Sequence, residues 1–475
     1  MKIERFEVPG LAQYAYILSS GGKAVVIDPI RDIEPYLEYA RANALTITHI
    51  LETHIHADFA SGATALAHAT GAELWLSAHD AGELYEYQFP HHPFGDGDLL
   101  TVNGLGIQAL HTPGHTPEHL SFLVFDTTRS ATVPAALFSG DFLFVGGFGR
   151  PDLLGEEAKQ QLAAQLYHSA HHAIAGLPDG LEVFPAHGAG SLCGSGMGDQ
   201  QHTTLGYERA VNPFFTLTQD RFINEILASV PPFPPYYLRM KQLNSDGAPI
   251  LTALPGDTPL SPAELGTLIA TEAITLLDLR RPEAFGGAHI PGSINIGAGQ
   301  NLSLWAGWLL EPIKPIVLIG DPADLDPARR SLIRVGLDNI CGYLSGDIAA
   351  WIDAGKELAH IPQCSAHEAH AELAGTSLPK VALTGTALTG AALLDVRSNT
   401  EWSDGHIAGA VHIMLGDLPS RLAEVPTTKL FVLCGSGYRS SIATSILAAH
   451  GFHNLVNIDG GMAAWRRQQL PLVRD

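Results

Sequence analysis

Basic residues are scarce in this chain: 27 Lys and Arg stand against 49 Asp and Glu, a formal charge of -22 over 475 residues. Nucleic-acid and anionic-membrane binding both need clustered cations, so that balance excludes them as principal functions. Cysteine is equally sparse. Four cysteines, far apart, do not make a disulfide framework. No apolar run is long enough to cross a bilayer, and the start MKIERFEVPG lacks the apolar core of a secretory signal. A cytoplasmic protein is expected. What is present is a composition that is 46% hydrophobic, well able to build buried cores. The length exceeds what one core can serve and predicts about three domains.

The C-terminal half contains an internal repeat. LLDLRRPEAFGGAHIPGSINI (276–296) echoes LLDVRSNTEWSDGHIAGAVHI (393–413), pairing Asp278 with Asp395, Arg280 with Arg397 and His289 with His406. Each copy continues into an apolar strand, IVLIG or FVLCG, then a helical stretch and a segment ending at Trp351 or Trp465. Short apolar strands alternating with helical patterns predict parallel βαβ units. In the N-terminal half, KAVVID (23–28), ITHIL (47–51), LTVNGLGIQALH, LSFLVF and ALFSGD read as strands. Helices are expected in IEPYLEYARAN and over 156–176, where Gly176 and Pro178 stop the pattern. The proline-dense SVPPFPPYY (229–237) reads as a stiff connector. Boundaries are therefore placed to give domains 1–242, 243–360 and 361–475.

His54-Ile55-His56-Ala57-Asp58-Phe59 follows an apolar strand and has the spacing of a metal-binding loop. Further candidates follow strand-like segments and open onto Gly or Pro turns: His115 in TPGHT, Asp141 in SGD and His187 in PAHG. Loops at one end of a folded scaffold gather such distant ligands. Two metal sets are open. A two-metal hydrolase would place His54, His56 and His115 on one ion, and Asp58, a histidine at 59 and His187 on the other; Phe59 removes one of those donors. A single ion with open positions suits oxygen chemistry on iron.

The order and punctuation of these elements resemble the metallo-β-lactamase superfamily, over roughly the first half of the chain. In detail they look most like the persulfide dioxygenases, relatives of the glyoxalase II hydrolases. That resemblance implies an αββα sandwich and one Fe(II) per chain, held by His54, His115 and Asp141. His56, Asp58 and His187 become groups that orient ligands or face substrate. The Gly149-Arg150-x-Asp152 element lies beside the active site in this pattern, with Arg150 gripping a substrate carboxylate bidentately. Arg209 matches a second basic position, and Cys193, in GAGSLCGSG, is a candidate neighbour of the iron or a small filler.

FVLCGSGYRSS sets Cys434 at a strand end, a Gly-rich loop after it, and Arg439 at the start of a helix. Inward-pointing N–H groups and a helix N-terminus suit a nucleophilic sulfur, and Arg439 would attract an anion. The segment resembles the rhodanese sulfurtransferases, including Asp395-x-Arg397, Gly405-His406-Ile407 and Gly460-Gly461 to Trp465. Aligning IVLIGDPAD on FVLCGSGYR puts Ile319 at the nucleophile and Asp324 at the arginine, so the first copy is expected to be inactive. The combined resemblance implies two α/β rhodanese domains with parallel sheets behind the sandwich. The implied activity is oxidation of a persulfide (glutathione, coenzyme A or similar) by O2 to sulfite, with Cys434 carrying sulfane sulfur to form thiosulfate. A zinc-dependent thiolester hydrolase fused to a sulfurtransferase is the alternative. A homo-oligomer is expected from the family.

Overall fold

The computed structural model describes residues 1–271, 273–375 and 390–474. Two compact units emerge: Met1–Thr252 with 333–336, and 253–332 with 337–475.

In the first unit two six-stranded sheets are formed by strands that follow one another in the chain. One runs Lys2–Val8, Gln13–Ser20, Lys23–Ile27, Thr46–Leu51, Glu73–Ser77 and His92–Phe94. The other runs Leu99–Val102, Leu105–His111, Leu120–Asp126, Ala136–Gly140, Glu182–Pro185 and Thr203–Thr204. Side-chain alternation explains the layers, because successive residues of a strand face opposite sides. Phe122, Val124, Ala136 and Phe138 point between the sheets, where they meet Tyr16, Leu18, Val25 and Ile27. Leu123 and Leu137 point the other way and pack with Leu166 and Phe222, from helices Lys159–His168 and Gln219–Ser229. Helices Glu34–Ala42 and Ala63–Thr70 pack on the first sheet, at strand Thr46–Leu51. The result is the αββα sandwich.

LTVNGLGIQALH is a hairpin rather than one strand. Asn103 and Gly104 take φ of 41° and 94°, a tight turn that joins Leu99–Val102 to Leu105–His111. The helix expected over 156–176 is regular from Lys159 to His168, then widens into a turn at Ser169–Ala173. The proline-dense stretch is irregular only between Ser229 and Tyr236. Helix Tyr236–Asp246 then crosses position 242 and ends at Gly247, whose φ is 85°. Its buried side includes Lys241, Asn244 and Ser245, and these polar positions hide the amphipathic pattern that would have announced it.

The second unit holds two five-stranded sheets of identical order. The first is Pro259–Leu260, Ile340–Leu344, Ile316–Ile319, Thr275–Asp278 and Ile294–Asn295; every neighbouring pair is parallel. The second is Gln363–Ser365, Leu455–Asp459, Lys429–Leu433, Ala391–Asp395 and Val411–His412, again parallel throughout. The repeat extends to single bonds. Arg280 pairs with Asp278 and donates to Ala288 O; Arg397 pairs with Asp395 and donates to Gly405 O. Trp351 and Trp465 each donate the indole N–H to a carbonyl six residues on.

Helix Tyr438–Ala449 is buried along most of its length, from Ser440 to Leu447. One face lies on its own sheet, and the first copy covers another. There, Ser441 Oγ donates to Asn295 Oδ1 at 2.6 Å, and Asn295 N donates to Ser445 Oγ at 3.0 Å. No helix among the described residues is long and apolar enough to cross a membrane.

Candidate metal centre and cysteine loop

Strand ends of the first unit carry the candidate ligands. Asp28 follows strand Lys23–Ile27 in a left-handed conformation, φ 51°, and accepts from Thr53 N at 2.7 Å and from Thr53 Oγ1 at 2.9 Å. With its hydrogen given to Asp28, the Thr53 oxygen accepts from His54 Nδ1 at 2.9 Å. His54 Nε2 therefore keeps a lone pair. His115 Nδ1 donates to Arg150 O at 2.9 Å, which leaves its Nε2 in the same state. Burial, joined by neighbouring imidazoles, pushes both rings' pKa well down, so both are neutral.

Asp141 Oδ2 lies 3.3 Å from His115 Nε2 and 3.8 Å from His54 Nε2. All three atoms are buried, and none has a hydrogen-bond partner. Three buried lone pairs facing one another repel unless a cation sits among them. The residues present thus fit a metal ion held by two imidazoles and one carboxylate.

His187 stands beside this group with both nitrogens on carboxylates: Nδ1 to Asp141 Oδ1 at 2.6 Å and Nε2 to Asp58 Oδ2 at 2.8 Å. Burial opposes its charge, but Asp141 and Asp58 override that and raise its pKa well above the usual value. It is an imidazolium with no free lone pair, placed where a two-metal site would want a ligand. His56 lies beside the cluster, its ring centroid 4.3 Å from that of His54. Its Nε2 meets Asp28 Oδ1 at 3.2 Å and its ring packs on buried Phe59, centroids 4.3 Å apart. Cys193 is buried, with its sulfur within 4.8 Å of the ligand atoms of Asp58 and His187. Burial raises its thiol pKa well above the usual range.

The Arg150 guanidinium is engaged within the chain. Its Nε and Nη2 bind Asp152 at 2.6 and 2.8 Å, and Nη1 donates to Leu192 O at 3.0 Å. What reaches the cluster is its carbonyl oxygen, on His115. Arg209 is engaged as well: its guanidinium donates to Ile174 O, Ala175 O and Leu177 O and pairs with Asp179, closing the end of the helix before it. These partners are invisible in the sequence.

Sequence reasoning also missed His119. Its ring stacks on His54, and its Nε2 accepts from Asp141 N at 3.1 Å. A Cβ at Gly140, whose φ is 54°, would lie 2.5 Å from that nitrogen, so glycine is what lets the imidazole reach the chain there. The signal was present in HTPGHTPEH, four residues after His115. Asp28 was legible only as the Asp-Pro that ends a strand.

Cys434 follows strand Lys429–Leu433. Its Sγ accepts from Gly437 N at 3.1 Å and Ser440 Oγ at 3.4 Å, at the N-terminus of helix Tyr438–Ala449. Arg439 does not hold an open charge over the loop: its Nη1 and Nη2 bind Glu401 Oε2 and Oε1 at 2.6 and 2.7 Å. Glu401, overlooked in the sequence, also caps its own helix by accepting from Ser398 N.

Register corrects the comparison of the two copies. Asp278 pairs with Ile319, and Asp395 with Leu433, so Gly320, and not Ile319, stands where Cys434 stands. The following helix begins at Pro322, two residues on, against four from Cys434 to Tyr438. The first copy thus lacks the cysteine and two residues of loop, and Ala284 replaces Glu401 in the repeat.

A model of the metallo-beta-lactamase superfamily matches residues 8–187, and the rhodanese-like domain model matches 261–354 and 381–468. The mitochondrial persulfide dioxygenase ETHE1 of Mus musculus is 30% identical over 225 residues, covering 45% of this chain and 76% of that protein. The chain belongs to the metallo-beta-lactamase superfamily. In this superfamily member the catalytic-type fold is joined to two rhodanese-like domains. Hydroxyacylglutathione hydrolase of Methylobacillus flagellatus is 34% identical over 176 residues, 37% of this chain. The match spans 61% of that protein's length, and 63% of the corresponding hydrolase of Synechococcus sp.. Among solved structures, a metallo-beta-lactamase from Staphylococcus aureus subsp. aureus COL is 36% identical, with a TM-score of 0.65. It covers 72% of this chain and 98% of its own.

Proposed function

We propose that the chain oxidises a low-molecular-weight persulfide with O2 in its first unit and transfers sulfane sulfur through Cys434 in its second. The proposed catalytic segments are 1–242 and 361–475, flanking an inactive module at 243–360. The observation that carries the first half is the trio of partnerless buried acceptors on His54, His115 and Asp141. The relationship to persulfide dioxygenases supports iron as the occupant. Bound there, Fe(II) would supply a Lewis acid toward sulfur and also oxygen activation, which zinc cannot supply for want of redox chemistry.

The protein's own groups have defined parts. Asp28 and Thr53 hold His54 in one tautomer, Arg150 O does the same for His115, and His119 fixes the chain at Asp141. His187 keeps a proton between Asp58 and Asp141 and offsets their charge. Burial of the cluster excludes bulk water. The net reaction takes one persulfide, one O2 and one water to a thiol and sulfurous acid, ionised to sulfite. At the second site the Cys434 sulfur attacks the outer sulfur of another persulfide, expelling the thiol and leaving a cysteine persulfide. Sulfite then takes that sulfur, giving thiosulfate and restoring Cys434. Gly437 N–H and the helix N-terminus stabilise negative charge on the cysteine sulfur.

Likeness to hydroxyacylglutathione hydrolases favours a second reading, a zinc thiolester hydrolase fused to a sulfurtransferase. Phe59 and the doubly engaged His187 leave little for a second ion. The deciding experiment is oxygen-electrode turnover of Fe(II)-loaded protein on glutathione and coenzyme A persulfides, with sulfite and thiosulfate quantified. Zinc in the purified protein together with no O2 uptake after iron loading overturns the reading.

A further inference from the structure

We infer that helix Tyr236–Asp246, beyond the matched domain, positions the loop that directly follows the ligand candidate His54, through buried Lys241 and Asn244. The inference rests on reading His54, His115 and Asp141 as a metal centre.

Residues 55–60 form neither helix nor strand, and Ser61 makes only an isolated bridge to Ile30, so their backbone groups need other partners. Side chains supply them. Lys241 Nζ donates to Ile55 O at 2.9 Å, and Glu118 Oε1 accepts from Ile55 N at 2.9 Å. Lys241 and Glu118 are themselves 4.0 Å apart and 1% and 3% exposed. Asn244 Nδ2 donates to His56 O and to Phe59 O, both at 2.8 Å, while its Oδ1 accepts from Ser61 N at 2.8 Å. Tyr236 Oη donates to Asp58 O at 3.2 Å. Six backbone groups of the loop carrying His56 and Asp58, and directly following His54, are therefore held by one helix and one glutamate.

The chemistry of Lys241 separates positioning from simple filling. A buried ion pair adds little net stability over an apolar pair of similar shape, because both charges lose their water. What it does impose is one geometry: a donor on one side of residue 55 and an acceptor on the other. Rotating the peptide between the two histidines would strand a buried charge. That geometry aims His54 at Asp141 and His56 at Asp28. Groups that orient metal ligands in this way change affinity about 10- to 100-fold when removed.

The test is Co(II) binding to the metal-free full-length protein, followed by its visible absorption. Lys241→Met keeps the stem and removes the charge. Its Co(II) affinity is expected to fall about 10- to 100-fold, with a shifted visible band, while near-UV circular dichroism of the metal-free protein is unchanged. Co(II) binding with native affinity and spectrum overturns the inference. If Lys241→Met loses its near-UV signal, the nearly isosteric Tyr236→Phe decides: a weaker site supports the inference, and an unaltered one overturns it. Failure of the native protein to bind Co(II) would remove the metal centre itself. Native binding with unaltered variants removes only the role of the helix.

Discussion

Arg439 and Glu401 meet through both guanidinium nitrogens, at 2.6 and 2.7 Å, so the cation of the Cys434 loop is already matched by a carboxylate. Burial pushes the Glu401 pKa up, but Arg439 outweighs it and holds the value down to about 2. A depressed carboxylate contributes stability above its ordinary value of 4.5, lost as pH falls through about 2. The pair is therefore closed throughout the neutral range. Glu401→Gln releases the arginine for an anionic donor, and KM for thiosulfate in sulfur transfer to cyanide should fall. Glu401 is 39% exposed; partly exposed pairs are worth up to about 1 kcal/mol, or about fivefold. An unchanged KM would show that Arg439 does not meet the donor.

Cys434→Ser separates the two chemistries. Oxygen uptake with persulfide should stay within about twofold of native, while thiosulfate formation falls by more than about 100-fold, the usual order for a lost nucleophile. Loss of both activities would contradict the division between the units.

One metal ion per chain is expected. Asp141→Asn replaces the carboxylate that faces both imidazoles and should weaken binding by at least about 100-fold. Metal removal should lower the thermal midpoint, and one equivalent of Fe(II), added without oxygen, should restore it. Saturation at two ions would favour the hydrolase reading.

His187 makes the stability of the metal-free protein depend on pH. Its folded pKa is raised above 6.5 by Asp141 and Asp58 against the effect of burial. That contribution is complete below pH 6.5 and is lost as pH rises through the folded value. Urea midpoints of the native protein should therefore decline on the alkaline side more steeply than those of His187→Gln. Parallel curves would mean that the proton is not held there.

Asn295 tests what the cysteine-free copy does. Its side chain accepts from Ser441 and donates to Asp278 O, both buried, and to the part-buried Arg280 O. Asn295→Ala strands these partners at about 1–3 kcal/mol each. The melting transition of the second unit and sulfur transfer should both fall, with oxygen uptake unchanged. Native sulfur transfer would show that the helix behind Cys434 needs no such support.

The sequence by itself determined the sandwich and the repeated parallel units, and pointed to the proposed ligand trio and the Cys434 loop, because strand alternation, glycine turns and ligand spacing are local patterns. It could not determine partners. Arg150, Arg209 and Arg439 each looked like an open cation; only folding brought Asp152, Asp179 and Glu401 to them. Tertiary structure also decided that Gly320 stands at the nucleophile's place, since register belongs to a sheet and not to a string. Lys241 and Asn244 were illegible for the same reason: a buried polar side chain has meaning only through the group it faces, here a loop nearly two hundred residues earlier in the chain.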